Sequence, residues 1–219
     1  MTGTIALEAT FTTPVTSFRN PLYAGVQVTL PCPPPATVGG LLAAAAGGWD
    51  QVDTGLRFAM AFHAGGRGVD YETYHPLDAS GKKASPTPRN REFLAATVLT
   101  VWLLDDVEQW WRRLRRPVWP LRLGRSQDLV GISLQRVPLT SAPGVLGSAI
   151  VPGDAAITGG TPLRLPTAIA PGRDRTRWGT YRFDATGRSQ ARVPDSASTP
   201  DGRAVMLLPG CHPDAAAWR

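Results

Sequence analysis

The chain has 219 residues, 42% of them hydrophobic, and a net charge of +6, so it can bury a core as one elaborated domain or two small ones. A sequence pI near 10.0 points to a polyanionic partner, and 21 Arg against 2 Lys suits phosphate forks and base stacking. Cys32 and Cys211 lack metal-ligand spacing, and neither a leader pattern nor an apolar run of about 20 residues is present; this argues against a disulfide framework, a zinc site and a membrane span, and implies a soluble, cytoplasmic protein with no cofactor.

Ile5, Leu7, Ala9 and Phe11 alternate with Thr4, Ala6, Glu8 and Thr10, which predicts a strand over 4–11. Turn formers fill 12–21. Four prolines among residues 31–35 then fix φ and remove donors, giving a rigid, extended approach. A short helix is predicted over 37–46, with Thr37 capping its orphan N–H groups and Gly47-Gly48 ending it. Gly39 and Gly40 let another backbone approach the first turn, which makes this helix start an anion site. A second interpretation stays open, in which the prolines turn a corner and the glycines only allow close packing.

Leu56, Phe58, Met60 and Phe62 mark a second strand. Residues 64–91 interrupt the apolar pattern with Gly, Pro, Lys82, Lys83, Arg89 and Arg91, and are expected to protrude as a basic insertion, a hairpin or a solvated loop. Phe93 to Leu104 is an apolar third strand. A second helix is predicted over Asp105–Arg116, with Asp105 and Glu108 as a capping box. Its apolar face is Val107, Trp110, Trp111 and Leu114, its last turns carry four arginines, and Pro117 ends it. Leu121–Leu123 and Leu129–Val137 are strands about the tight turn Gly124-Arg125-Ser126, with Asp128 an ion-pair partner for the basic turn.

The order so far is βαββαβ, so the expected class is α+β with a ferredoxin-like, RRM-like domain over 1–137. The texture changes after Val137. Trp178–Phe183 and Ala204–Leu208 are predicted strands, and Asp184–Gly202 is a polar segment expected to be mobile. Residues 138–219 are expected to form a smaller β-rich extension.

Phe11–Pro14 with Ser17-Phe18-Arg19, the proline-led segment Leu30–Leu42, and Pro120-Leu121-Arg122-Leu123-Gly124-Arg125-Ser126 occur in an order and spacing that resemble the CRISPR-associated protein 5 family. Members of that family are RAMP subunits of type I Cascade. The resemblance covers roughly the first 137 residues. It implies an RRM-like domain whose hairpin thumb corresponds to 64–91. It also implies a subunit that grips the 5′ handle of a crRNA and caps the backbone filament. The partners implied are a backbone subunit of the CRISPR-associated protein 7 family, the large subunit and, through the complex, target DNA. The family often has Ser where this chain has Ala36, which leaves Thr37 to supply the capping hydroxyl.

The RNA-binding residues expected on these grounds are Ser17, Arg19, Tyr23, Thr37, Gly39, Gly40, Lys82, Lys83, Arg89, Arg91, Arg125 and Ser126. The helix start would offer N–H groups to phosphates, the arginines would hold phosphates, and the insertion would displace a nucleotide from its stack. Some relatives cut precursor crRNA themselves, using a Tyr on the first helix and an adjacent Lys-His pair. Residues 37–49 contain no Tyr, and no Lys adjoins His63, His75 or His212. A non-catalytic subunit without a metal site is therefore expected, with a metal-independent processing endoribonuclease as the alternative.

Overall fold

The computed structural model describes residues 4–20, 22–23, 27–74 and 85–215. Its first six long elements run strand, helix, strand, strand, helix, strand: β1 Thr4–Thr16, α1 Pro35–Ala46, β2 Ala59–Tyr74, β3 Thr87–Leu103, α2 Val107–Arg115 and β4 Gly131–Leu139. There follow β5 Gly144–Val145, β6 Ala149–Pro152, β7 Thr161–Ile169, β8 Thr176–Phe183, β9 Arg192–Val193, β10 Ala197–Ser198 and β11 Ala204–Val205. Seven strands make one sheet in the order β4-β1-β3-β2-β6-β8-β7, antiparallel at every pairing.

Period-2 alternation on β1 separates two cores. Leu7, Ala9 and Phe11 lie in a buried cluster with Val38, Leu41 and Leu42 of α1, and with Trp110 and Leu114 of α2. Ala6 lies in a second cluster with Trp102 of β3 and with Leu146, Val193, Ala204 and Val205. The helices thus cover one sheet face, and the C-terminal segments cover part of the other. On that second face the Glu8 carboxylate is nearly inaccessible. It accepts hydrogen bonds from Trp102 Nε1 (2.7 Å), Gln135 Nε2 (2.7 Å) and Arg203 Nη2 (2.9 Å), which satisfies a charge that would otherwise be costly to bury.

Several local expectations need correction. The α1 N-cap is Pro34, with Pro35 in the first turn and no side-chain cap; Thr37 N–H instead donates to Pro34 O at 2.9 Å. Proline's preset φ starts the helix without a hydroxyl. At α2 the cap position is Asp106, in the left-handed region (φ 50°), again with no side-chain cap. Glu108 faces away and takes Arg136 in a two-pronged ion pair, Nε–Oε1 2.9 Å and Nη2–Oε2 2.9 Å, while the Arg136 guanidinium lies over the Trp111 ring at 4.3 Å. The tertiary partner outcompetes the local capping box.

Of the two forms expected for 64–91, a hairpin or a solvated loop, the described residues take the hairpin. β2 and β3 stay paired out to Tyr74↔Thr87. Backbone hydrogen bonding sustains these arms where apolar alternation stops, helped by Arg91 bridging Asp70 (Nε–Oδ1 2.9 Å) and Glu72 (2.6 Å). Residues 184–202 hold β9 and β10. The Asp184 carboxylate orders their lead-in by accepting N–H bonds from Thr186 (2.9 Å), Arg188 (3.1 Å) and Ser189 (2.8 Å).

Candidate nucleic-acid interface

A groove of about 810 Å³ opens where four distant segments meet. The end of β1 brings Ser17, Phe18 and Arg19. The start of α1 brings Pro34, Ala36, Thr37 and Gly40. The downstream turn brings Gly124 and Arg125. The loop between β7 and β8 brings Ala170, Pro171 and Arg173. Among the described residues the lining holds three arginines and no carboxylate, so its local charge favours an anion.

Glycine is required at the turn. Gly124 has φ +93°, and a Cβ there would stand 2.6 Å from Ser17 O. Thr16 Oγ1 donates to Leu123 O from the same side, so the turn is clamped against the end of β1. Arg125 is held by Asp128: Nε–Oδ2 is 2.8 Å and Nη2–Oδ1 is 3.0 Å. Asp128 is buried, and Arg125 Nη1 is buried without a hydrogen-bond partner. The Asp128 fork fixes the orientation of the guanidinium at the edge of the groove.

The helix start offers fewer donors than the sequence suggests. Pro35 has no N–H, and the amides of Thr37 and Val38 both bond Pro34 O. Ala36 N–H is the first-turn donor without a partner among the described residues, and Ala36 lines the groove. The two glycines differ. A Cβ on Gly39 would meet Trp49 Cη2 at 2.8 Å and also Cys211, so Gly39 serves internal packing. Gly40 lines the groove and has open space above it.

Of the other residues expected to bind, Ser17 lines the groove, but its hydroxyl donates to Glu92 O at 2.8 Å. Tyr23 is half exposed and is not among the lining residues. Ser126 is exposed beside Arg125, and Arg89 is exposed on β3. Arg91 is 8% exposed, and its charge is matched by Asp70 and Glu72. Lys82 and Lys83 fall outside the described residues, as does His75. Sequence reasoning missed the β7–β8 contribution, because nothing in 138–175 marks that loop as lying near residues 17–40.

The groove floor is not nucleophilic. Cys211 lines it, but burial pushes that thiol up to about 12, against opposing effects of a backbone hydrogen bond and Arg177. Burial also drives the Cys32 thiol far up. His212 is buried edge-on to Trp49. Its Nε2–H donates to Trp49 O at 2.9 Å, and its Nδ1 accepts Asp214 N–H at 3.1 Å. His63 is exposed on β2. No described helix is long and apolar enough to cross a membrane.

These features define a mixed, mostly antiparallel α+β protein with two described helices and an arginine-lined groove. The family described as CRISPR-associated protein (Cas_Cas5) matches residues 6–158, and the chain belongs to that family. Among solved structures it is similar to a chain described as "CRISPR RNA-guided surveillance complex", with a TM-score of 0.54 at 20% identity, covering 95% of this chain and 96% of that one. At that identity the likeness is one of fold. A CRISPR protein from Archaeoglobus fulgidus is also similar, at TM-score 0.49 and 14% identity, covering 93% of this chain and 98% of that one. A comparison with curated proteins found no match.

Proposed function

We propose that this chain is a non-catalytic, crRNA-binding subunit of a type I CRISPR Cascade. It grips the 5′ handle in the arginine-lined groove and caps the backbone filament beside the large subunit. The observation that carries this reading is the meeting of residues 17–19, 34–40 and 124–125 around one anion-favouring groove. The strand order β4-β1-β3-β2 with two helices on one face supports a ferredoxin-like, RRM-like domain, and the paired arms of β2 and β3 support a hairpin thumb. Family membership and the fold likeness to a chain of an RNA-guided surveillance complex support assembly into Cascade. The non-catalytic role is supported by His212, whose ring is engaged inside the fold, and by the absence of Tyr from 37–49.

Purifying the complex with Arg19→Glu plus Arg125→Glu tests this reading. Loss of guide RNA from the particle is the expected result, and an intact RNA-loaded particle refutes it. Incubating the pure protein with repeat RNA in chelator tests the catalytic alternative, since a discrete cut would overturn the non-catalytic assignment.

A further inference from the structure

The C-terminal half builds part of the groove, and its chemistry there differs from that of the N-terminal side. Ala170 N–H bonds Arg175 O at 3.0 Å, and Arg173 N–H bonds Ala170 O at 2.8 Å, so the loop between β7 and β8 is closed on itself. Arg177 Nη2 donates to Gly210 O, and Tyr181 pairs with Thr167 across the hairpin at 2.6 Å. α1 packs on β7, with Leu165 in the shared core, so both sides of the groove are fixed to one body. Three charged side chains near this loop have partners: Arg175 pairs with Asp174 and Arg125 with Asp128, while Arg177 is tied to Gly210. Arg173 is exposed, lines the groove, and has no side-chain partner among the described residues. Beside it, Ile169 is 37% exposed and Pro171 is exposed, both on the lining.

We propose that the β7–β8 loop is the second wall of the RNA groove, with Arg173 taking one phosphate and Ile169 with Pro171 receiving the face of an unstacked base. This rests on the RNA-binding reading above and assigns a role to the C-terminal half. Single-stranded RNA fits this pattern of charge beside an apolar surface, because its bases are free to leave the stack and lie on protein. A cavity of this size lies in the range, roughly 300–1,000 Å³, that encloses a compact ligand.

The test measures binding of the whole chain to single-stranded RNA of the host's CRISPR repeat across a salt series. Arg173 sits at φ +58°, so Arg173→Gly removes the side chain without backbone strain. Arg173→Gly is expected to weaken binding about tenfold and to reduce the slope of log K against log salt by about 0.7, the value for one single-strand phosphate. Arg173→Lys keeps the charge and restores most of both. Ile169→Ala is expected to weaken binding about threefold with an unchanged slope. Wild-type affinity and slope for Arg173→Gly, while Arg19→Ala binds poorly, would overturn the second wall and leave the groove reading standing. A weaker complex with an unchanged slope for Arg173→Gly would overturn the phosphate contact. Wild-type binding by all of these variants would remove the groove reading itself.

Discussion

Gly40→Ala separates stability from binding at a single atom. Gly40 lies inside α1, and a Cβ built on it meets no heavy atom within 4 Å. Replacing a helix-interior glycine by alanine is worth about 0.5–1 kcal/mol, and nothing sterically opposes that gain. For a chain of this size 1 kcal/mol moves Tm by roughly 2–4 °C, so calorimetry should record a rise of about 1–4 °C. The same Cβ projects into the groove. If RNA lies there at close range, an extra methyl group costs at least about 1 kcal/mol of binding, or roughly fivefold in Kd, readable by fluorescence anisotropy at fixed salt. The prediction is therefore opposite in sign for the two assays. A higher Tm with unchanged Kd would show that RNA does not approach Gly40, and an unchanged or lower Tm would refute the helix argument. Gly39→Ala, one residue away, is the contrast: the new Cβ runs into Trp49 and Cys211, and the expected loss is about 1–3 kcal/mol.

Three further outcomes are expected. Asp128→Ala leaves the largely buried Arg125 without its two side-chain bonds and should cost roughly 3 kcal/mol in urea unfolding, with weaker RNA binding. Glu8→Ala strands the buried Trp102 N–H and leaves Arg203 with Asp201 as its one remaining carboxylate, for a loss of about 1–3 kcal/mol by the same assay; RNA affinity per folded molecule should not change. The Arg91 hydrogen bond holds the Asp70 carboxyl below the usual carboxylate range. A depressed folded-state pKa contributes stability that is complete above the unfolded value of about 3.9 and is lost as pH falls through the folded value. Hydrogen exchange on the β2–β3 arms should be flat from pH 7 to about 5 after correction for intrinsic rates, and protection should fall in stronger acid. An NMR titration placing Asp70 above the ordinary value would contradict this.

The elements with strong apolar period were legible in the sequence. β1 declares itself by alternation, and α2 by Trp110 and Leu114, both now in the core. The C-terminus of α1 was also readable, since Gly47 adopts φ +104° just past it. The helix starts were not, because proline and a tertiary Arg136 contact override hydroxyl and carboxylate capping. The sequence left the β2–β3 arms open between hairpin and loop, because backbone pairing and an Arg91–Asp70–Glu72 cluster hold them without an apolar face. Of the site, the clustering of Arg19, Thr37, Gly40 and Arg125 followed from family-like segments. The matched charge of Arg91 required the fold, as did the packing role of Gly39. The Arg173 wall was invisible, because only a sheet that runs from β2 through β6 to β8 and β7 brings that loop to α1.

The claim on which the account depends is that RNA occupies the groove between β1, α1 and the Gly124 turn. Photo-crosslinking the assembled particle, with 4-thiouridine placed through the repeat-derived 5′ segment of its RNA and the adducts mapped by mass spectrometry, tests it most directly. Adducts on peptides containing residues 17–19, 36–40 and 124–126 are predicted. Adducts confined to the opposite sheet face, around His63, Val98 and Ser133, with none in those peptides, would contradict it.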